Sequence, residues 1–267
     1  MFPLFTKSLP STAEALQSLL NDSLRQLFVF THDPVTIHDA SYPHLKELNV
    51  SLDGAQLRAN PPPLPSLSGK PMPALDVDHL TVNASNLSIG PALIELSLSA
   101  REVQFTQSRD FKDEIILSID NAADGAVEIS TSQPGLEALI AEVAKTEASK
   151  HGVTIDGVQL TLRSKSSRSL AAEVRFSAKK LFFSASIRIT GQLDLDEELN
   201  ARISGLNCAG DGAIATMACG VLKPHLEKID GREFPLMSLP LGKIRLRDVQ
   251  LAVGDRLCVT AQFGSVA

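Results

Sequence analysis

The chain has 267 residues, is 43% hydrophobic and 21% charged, and carries a net charge of −6. That is ordinary globular composition, enough for one large domain or two small ones, and it excludes disordered and collagen-like chains. Eleven Phe, one Tyr and no Trp leave few aromatic platforms for bases, and the acidic balance argues against a nucleic-acid partner. The charge is uneven, −9 over residues 1–150 and +3 over 151–267.

In chain order, the first predicted element is a helix over 12–30. Leu16, Leu19, Leu20, Leu24, Leu27 and Phe28 recur at helical spacing. Ser11 or Thr12 can cap it, with Glu14 in the first turn. Its end, Leu27, Phe28, Val29 and Phe30, is apolar all round and must be buried or meet a protein partner. Residues 31–45 read as a loop, and 47–53 as a short strand. Six prolines fall within 60–73, so that stretch can be neither helix nor central strand and reads as a stiff connector or a loop over an opening. From Leu75 to Glu128 the alternation is β, clearest at Ile94, Leu96, Leu98 and Ala100.

A second helix is predicted over 134–150, with Pro134 at its start, Leu136, Leu139, Ile140, Val143 and Ala144 as its stripe, and Gly152 as its breaker. Strands follow at 154–162, 171–176, 181–195 and 199–206. A third helix, 211–228, carries Ala213, Ile214, Met217, Val221 and Leu222, and Gly220 and Pro224 predict a kink or a break. Two strands, 243–253 and 256–263, close the chain around a Gly254–Asp255 hairpin. Residues 157–162 and 248–253 share a Val-Gln-Leu core, a weak sign of a duplicated helix-plus-meander unit. The organisation expected is an N-terminal helix and first strand (1–59), a proline-rich connector (60–73), and a β/helix domain (74–267) forming one compact unit with 1–59.

Catalytic signatures are sparse. There is no Cys-x-x-Cys, no HExxH, no phosphate-binding loop and no Gly-x-Ser-x-Gly elbow. His32, His38 and His44 are the one foothold for an enzyme or a metal. Their six-residue spacing suits no shared helix face, and they read as polar loop residues. Gly205, Gly210 and Gly212 read as a turn and helix cap. Three cysteines, Cys208, Cys219 and Cys258, cannot all pair within one chain, which favours reduced thiols. Cys208 and Cys219 read as buried structural residues. No catalytic residue, metal or cofactor is assigned. No leader or membrane span is visible, so a cytoplasmic or peripheral-membrane location is expected. Lys243, Arg245 and Arg247 alternate with Ile244 and Leu246 and share one strand face; the phase changes after Arg247, which predicts a bulge there.

The segment from Glu233 to Leu257, with its Leu239-Pro240-Leu241-Gly242 turn leading into a strand, a tight turn and a last strand, resembles the closing segment of the bacterial LmeA-like phospholipid-binding family. The likeness covers about residues 75–267. It implies an α+β fold similar to tubular lipid-binding (TULIP-like) domains, with a long curved antiparallel sheet wrapped around amphipathic helices and an apolar groove for acyl chains. Members commonly carry an export signal or anchor, which this chain does not show. The expected function is non-enzymatic binding or transfer of a phospholipid or fatty acid. Leu139, Ile140, Val143, Ile214, Met217 and Val221 are expected to line the groove, and Lys243, Arg245 and Arg247 to meet a head group or membrane surface. The alternative is an interaction scaffold with a fully packed core.

Overall fold

The computed structural model describes residues 2–63, 68–150, 153–180, 183–236 and 244–265. Among them, the first part of the chain forms β1 (Phe2–Pro3), α1 (Ala13–Leu27), β2 (Phe28–Val29), β3 (Val35–Ser41), β4 (His44–Ser51), β5 (Gln56–Leu57), β6 (Ser68–Ile89), β7 (Ala92–Arg109), β8 (Ile115–Asn121) and β9 (Asp124–Ser132). There follow α2 (Gln133–Ser149), β10 (Thr154–Ser166), β11 (Ser169–Lys180), β12 (Phe183–Leu195), β13 (Asn200–Asp211), α3 (Ala213–Ile229), β14 (Glu233–Pro235), β15 (Arg245–Val253) and β16 (Arg256–Gly264). The fold is α+β and mostly strand.

Two sheets result. The larger runs β15-β16-β9-β7-β6-β4-β3, with β1, β2, β5 and β8 attached at its margins; the smaller runs β10-β11-β12-β13-β14. Most pairs are antiparallel, but β4 and β6 are parallel. Between them the chain passes Pro61, Pro62 and Pro63, which lack ladder donors and form no strand. Pro71 and Pro73 do lie within β6, a strand with neighbours on both sides. There β6 pairs with β7 alone, because β4 joins it only from Asp76 onward. The prolines therefore occupy an edge, where a missing N–H costs no hydrogen bond. Leu181, Gly152 and the 239–242 turn lie outside the described residues.

One aliphatic row crosses the larger sheet. Val35, Val50, Val82, Leu98, Val127, Ala261 and Val249 are successive cross-strand partners. Side chains alternate along each strand, so this row and its neighbours two residues away form one apolar face. Helix α1 packs on one end of that face through Leu16, Leu20 and Leu24. The smaller sheet packs on the other end, where Leu170, Leu195 and Leu199 meet Val249 and Leu251. The main core draws on both sides of the proline-rich stretch, joining Leu16, Leu45 and Ala55 to Val77, Val103 and Phe263.

The helices also finish sheet edges. The Val35 N–H donates to Asn21 Oδ1 (2.9 Å) and the Ile37 N–H to Gln17 Oε1 (3.0 Å), so α1 side chains stand in for a missing strand beside β3. On α2, Gln133 Nε2 donates to the Leu160 carbonyl (2.6 Å), and Glu137 Oε1 accepts from the Leu160 N–H (2.7 Å). Unpaired edges invite aggregation, and both devices blunt them. The Thr12 cap is in place, its Oγ1 accepting from the Ala15 N–H, and on α2 the Ser132 Oγ accepts from the Gly135 N–H.

Three sequence expectations are corrected. Residues 31–45 are not a loop: β3 and the start of β4 form a hairpin through the cis Tyr42–Pro43 peptide. Val35 and Ile37 supply its inward side chains, while histidines and Pro43 disguise the alternation. Helix α3 runs unbroken through Gly220 and Pro224. Gly220 is exposed, so the carbonyl that Pro224 leaves unpaired faces solvent. Finally, Cys208 and Cys219 form a disulfide, and Cys258 alone is a free thiol. Cross-strand pairing puts Cys208 opposite Ile189, on the face that α3 covers. Close approach is possible because Gly210 has no side chain: a Cβ there would lie 2.5 Å from the Ala215 Cβ. The bulge predicted at Arg247 is present, as a register shift between Leu246 and Asp248.

Candidate functional site

Beneath α1, the larger sheet lines a half-open cavity of about 330 Å³. Helix α1 and the turn after it contribute Leu20, Leu24, Leu27 and Phe28, and β1 contributes Phe2. The sheet contributes Val35, Leu48, Val50, Leu52, Leu75, Leu80, Val82, Leu98, Phe105, Leu117 and Ile119. All these side chains are hydrocarbon. Leu48, Leu75, Leu80 and Leu117 are buried and form the floor; Phe2, Leu27, Phe28, Val50, Val82, Leu98, Phe105 and Ile119 are half-buried and border the opening. With no polar or charged side chain in its lining, the cavity suits an apolar chain or ring.

The wall arises from two periodicities meeting. A 3.6-residue repeat puts Leu20, Leu24 and Leu27 on the underside of α1, and a two-residue repeat puts Val35, Val50, Val82 and Leu98 on the inner face of the sheet. Leu27 and Phe28, expected to be buried or to meet a protein partner, line this cavity. Phe28 enters β2, opposite Leu57, and its ring meets Phe30 edge-on at 5.9 Å; Val29 stays 48% exposed.

Of the residues expected to line a groove, those whose side chains are described lie elsewhere. Leu139 and Ile140 are half-buried on α2, which packs against β10, β9 and β7, and Val143 is 64% exposed. Leu139 and Val143 border a shallow depression beside Gly90, Glu142, Thr146 and Glu147. On α3, Ala215 and Cys219 face the sheet, while Met217 and Val221 point outward, 73% and 71% exposed. Lys243 and the Ile214 side chain lie outside the described residues. Arg245 and Arg247 are exposed on β15. Arg247 Nη2 donates to the Ser265 carbonyl (2.9 Å) and the Ala123 carbonyl (3.4 Å), which fastens the end of the chain. None of the seven whose side chains are described lies in the cavity wall. The α1 stripe and the strand alternation were legible, but nothing local marks which two apolar faces leave space between them.

The early histidines do not converge. His38 Nδ1 lies 3.0 Å from Glu47 Oε2, and His44 Nε2 lies 2.6 Å from Asp78 Oδ1, each pair exposed. His32 meets the Phe30 ring edge-on at 6.0 Å. Among the described residues, no three His, Cys, Asp or Glu side chains are grouped to hold a metal. Burial, followed by the charge of Glu128, pushes the Cys258 thiol up, away from the nucleophilic thiolate. No helix of the described residues is long and apolar enough to cross a membrane.

The hydrogen bond and charge of Asp78 hold His44 above its usual pKa. A pKa raised in the folded state adds stability below the unfolded value of about 6.5, and that stability is lost as pH rises through the folded pKa. Titration followed by NMR is therefore expected to show a His44 midpoint above the free-histidine value, returning toward it in Asp78→Asn. An identical midpoint in both proteins would refute the pairing.

Comparison with protein-family models, with curated proteins and with solved structures finds no match to this chain.

Proposed function

We propose that this protein binds, and by binding can transfer, an acyl-chain ligand such as a phospholipid or fatty acid, without catalysing a reaction on it. The observation that carries the proposal is the cavity of about 330 Å³ whose lining side chains are all hydrocarbon. An apolar cavity of about 150 Å³ in another protein suffices to bind benzene, and ligand sites begin at roughly 300 Å³. Burying an acyl chain gains about 0.8 kcal/mol per CH₂. About fifteen methylenes, worth about 12 kcal/mol, would offset about 4 kcal/mol of association cost and leave roughly micromolar affinity.

The architecture supports the same reading. In the manner of LmeA-like and tubular lipid-binding domains, the apolar face of the larger sheet would cradle α1 and present an acyl groove. The aliphatic row from Val35 to Val249 continues that face beyond the cavity toward the smaller sheet. A fully packed interaction scaffold would have no use for such a space.

Native mass spectrometry of freshly purified protein, with solvent extraction of whatever is bound, tests the proposal. A near-stoichiometric amphiphile, or uptake of oleate or phosphatidylglycerol after addition, is the expected result. A bare protein mass with no uptake of either would overturn it.

A further inference from the structure

The most exposed large apolar side chain among the described residues is Phe111, at 84%. It sits at the crest of the turn between β7 and β8. That turn is ordered: Asp110 Oδ1 accepts from the Lys112 N–H (2.8 Å) and the Glu114 N–H (2.9 Å), and the Asp110 N–H donates to the Glu114 carbonyl (2.9 Å). Phe111 is therefore held out in water by a built turn, at a cost no internal contact offsets.

Its surroundings share a character. Ser68 Oγ donates to the carbonyls of Arg109 and Asp110, which brings the start of β6 alongside. Met72, 53% exposed, and Lys70 lie there, in the depression that also holds Arg109, Asp110 and Asp113. Arg109 Nη1 donates to the Lys7 carbonyl (3.0 Å), which places Lys7 at the same end. Of the nearby acids, Asp113 is paired with Arg109 (3.1 Å), Asp110 is turned into the loop, and Glu114 is half-buried. None of Lys7, Lys70 and Lys112 forms an ion pair among the described residues. In a half-chain whose balance is −9, this end gathers cations around two exposed apolar side chains.

We infer that this tip docks the protein on an anionic lipid bilayer, with Phe111 and Met72 entering the interface and Lys7, Lys70 and Lys112 meeting lipid head groups. Size decides against a protein partner: a stable protein interface covers about 800 Å² on each side, whereas one Phe buries roughly 150–250 Å². A bilayer accepts a narrow tip, and each lysine near an anionic surface adds to its attraction. The tip also adjoins the cavity: β8 begins at Ile115, two residues before Leu117, which pairs with Phe2 in the cavity wall. For its purpose the inference rests on the lipid-binding proposal, since docking there would bring the cavity to its source of lipid.

Vesicle co-sedimentation tests it, with phosphatidylcholine vesicles compared with phosphatidylcholine–phosphatidylserine vesicles. The protein is expected to sediment with the second, and less so as salt rises. Phe111→Ser should weaken partitioning at least roughly tenfold, and Lys70→Glu or Lys112→Glu about fivefold or more. All three positions are exposed, so the thermal midpoint should not move. Oleate uptake from solution, measured in parallel, should survive in every variant, which separates failure of docking from failure of the cavity proposal. Wild-type protein left in the supernatant with both vesicles, or variants that sediment like wild type, would overturn the inference. So would retention on immobilised polyglutamate that matches the anionic vesicles and ignores Phe111→Ser; that result would assign the tip to an acidic protein.

Discussion

Val82→Trp is expected to cut the affinity for a fluorescent fatty acid by about 30-fold while leaving the fold intact. Val82 sits mid-sheet in the cavity wall, with Leu98 and Val50 as its cross-strand neighbours. A larger side chain there displaces about two or three methylenes of ligand, each worth about 0.8 kcal/mol. In a filled core the same change would force side chains off their rotamers and cost ~1–3 kcal/mol. Here the added ring has room, so the thermal midpoint should stay within a few degrees or rise. Fluorescence titration and thermal unfolding read the two effects separately. Met217→Ser combined with Val221→Ser is the contrasting variant: both side chains point outward from α3, and uptake should be unchanged. Loss of uptake in that double variant, with Val82→Trp still binding, would move the ligand from the α1 cavity to the helices.

Leu16→Ala should lower stability by about 2–5 kcal/mol, a large part of the roughly 5–15 kcal/mol a domain of this kind holds. Leu16 is fully buried and is the N-terminal anchor of α1 on the sheet. Its removal leaves a space that the pleated floor cannot close. Leu20→Ala should cost less, although Leu20 is only 6% exposed. Its side chain borders the cavity, has fewer neighbours on that side, and so forfeits less dispersion energy. Urea unfolding of both variants gives the comparison. Equal losses would mean that the cavity closes around Leu20 in solution.

The His44–Asp78 pair belongs to a different class. It lies on the outer surface, and its pKa direction follows chiefly from Asp78. His32, His38 and His44 are close in sequence but do not converge: His38 on β3 meets Glu47, His44 on β4 meets Asp78, and His32, before β3, meets the Phe30 ring. Arg247 carries the same lesson. Its alternation with Leu246 was legible, and so was the bulge, but the guanidinium is occupied by the Ser265 and Ala123 carbonyls at the end of the chain.

The amino-acid order by itself determined the local elements. The stripe at Leu16, Leu20 and Leu24 specifies α1, with Thr12 as its cap. Ser132 and Pro134 start α2, the alternation from Leu75 onward specifies the β6–β7 hairpin, and Gly254–Asp255 the last turn. These depend on neighbours within a few residues, and local spacing records them directly. Tertiary structure alone decided three further matters. It paired Cys208 with Cys219, because the apolar face of β13 lies under α3. It admitted Pro71 and Pro73 into β6, because β4 reaches only as far as Asp76. It also placed the cavity under α1 rather than between α2 and α3. A cavity is space that two packed surfaces fail to fill, and its position depends on how far apart the backbone holds residues as distant as Leu24 and Leu117, a distance that no local pattern encodes.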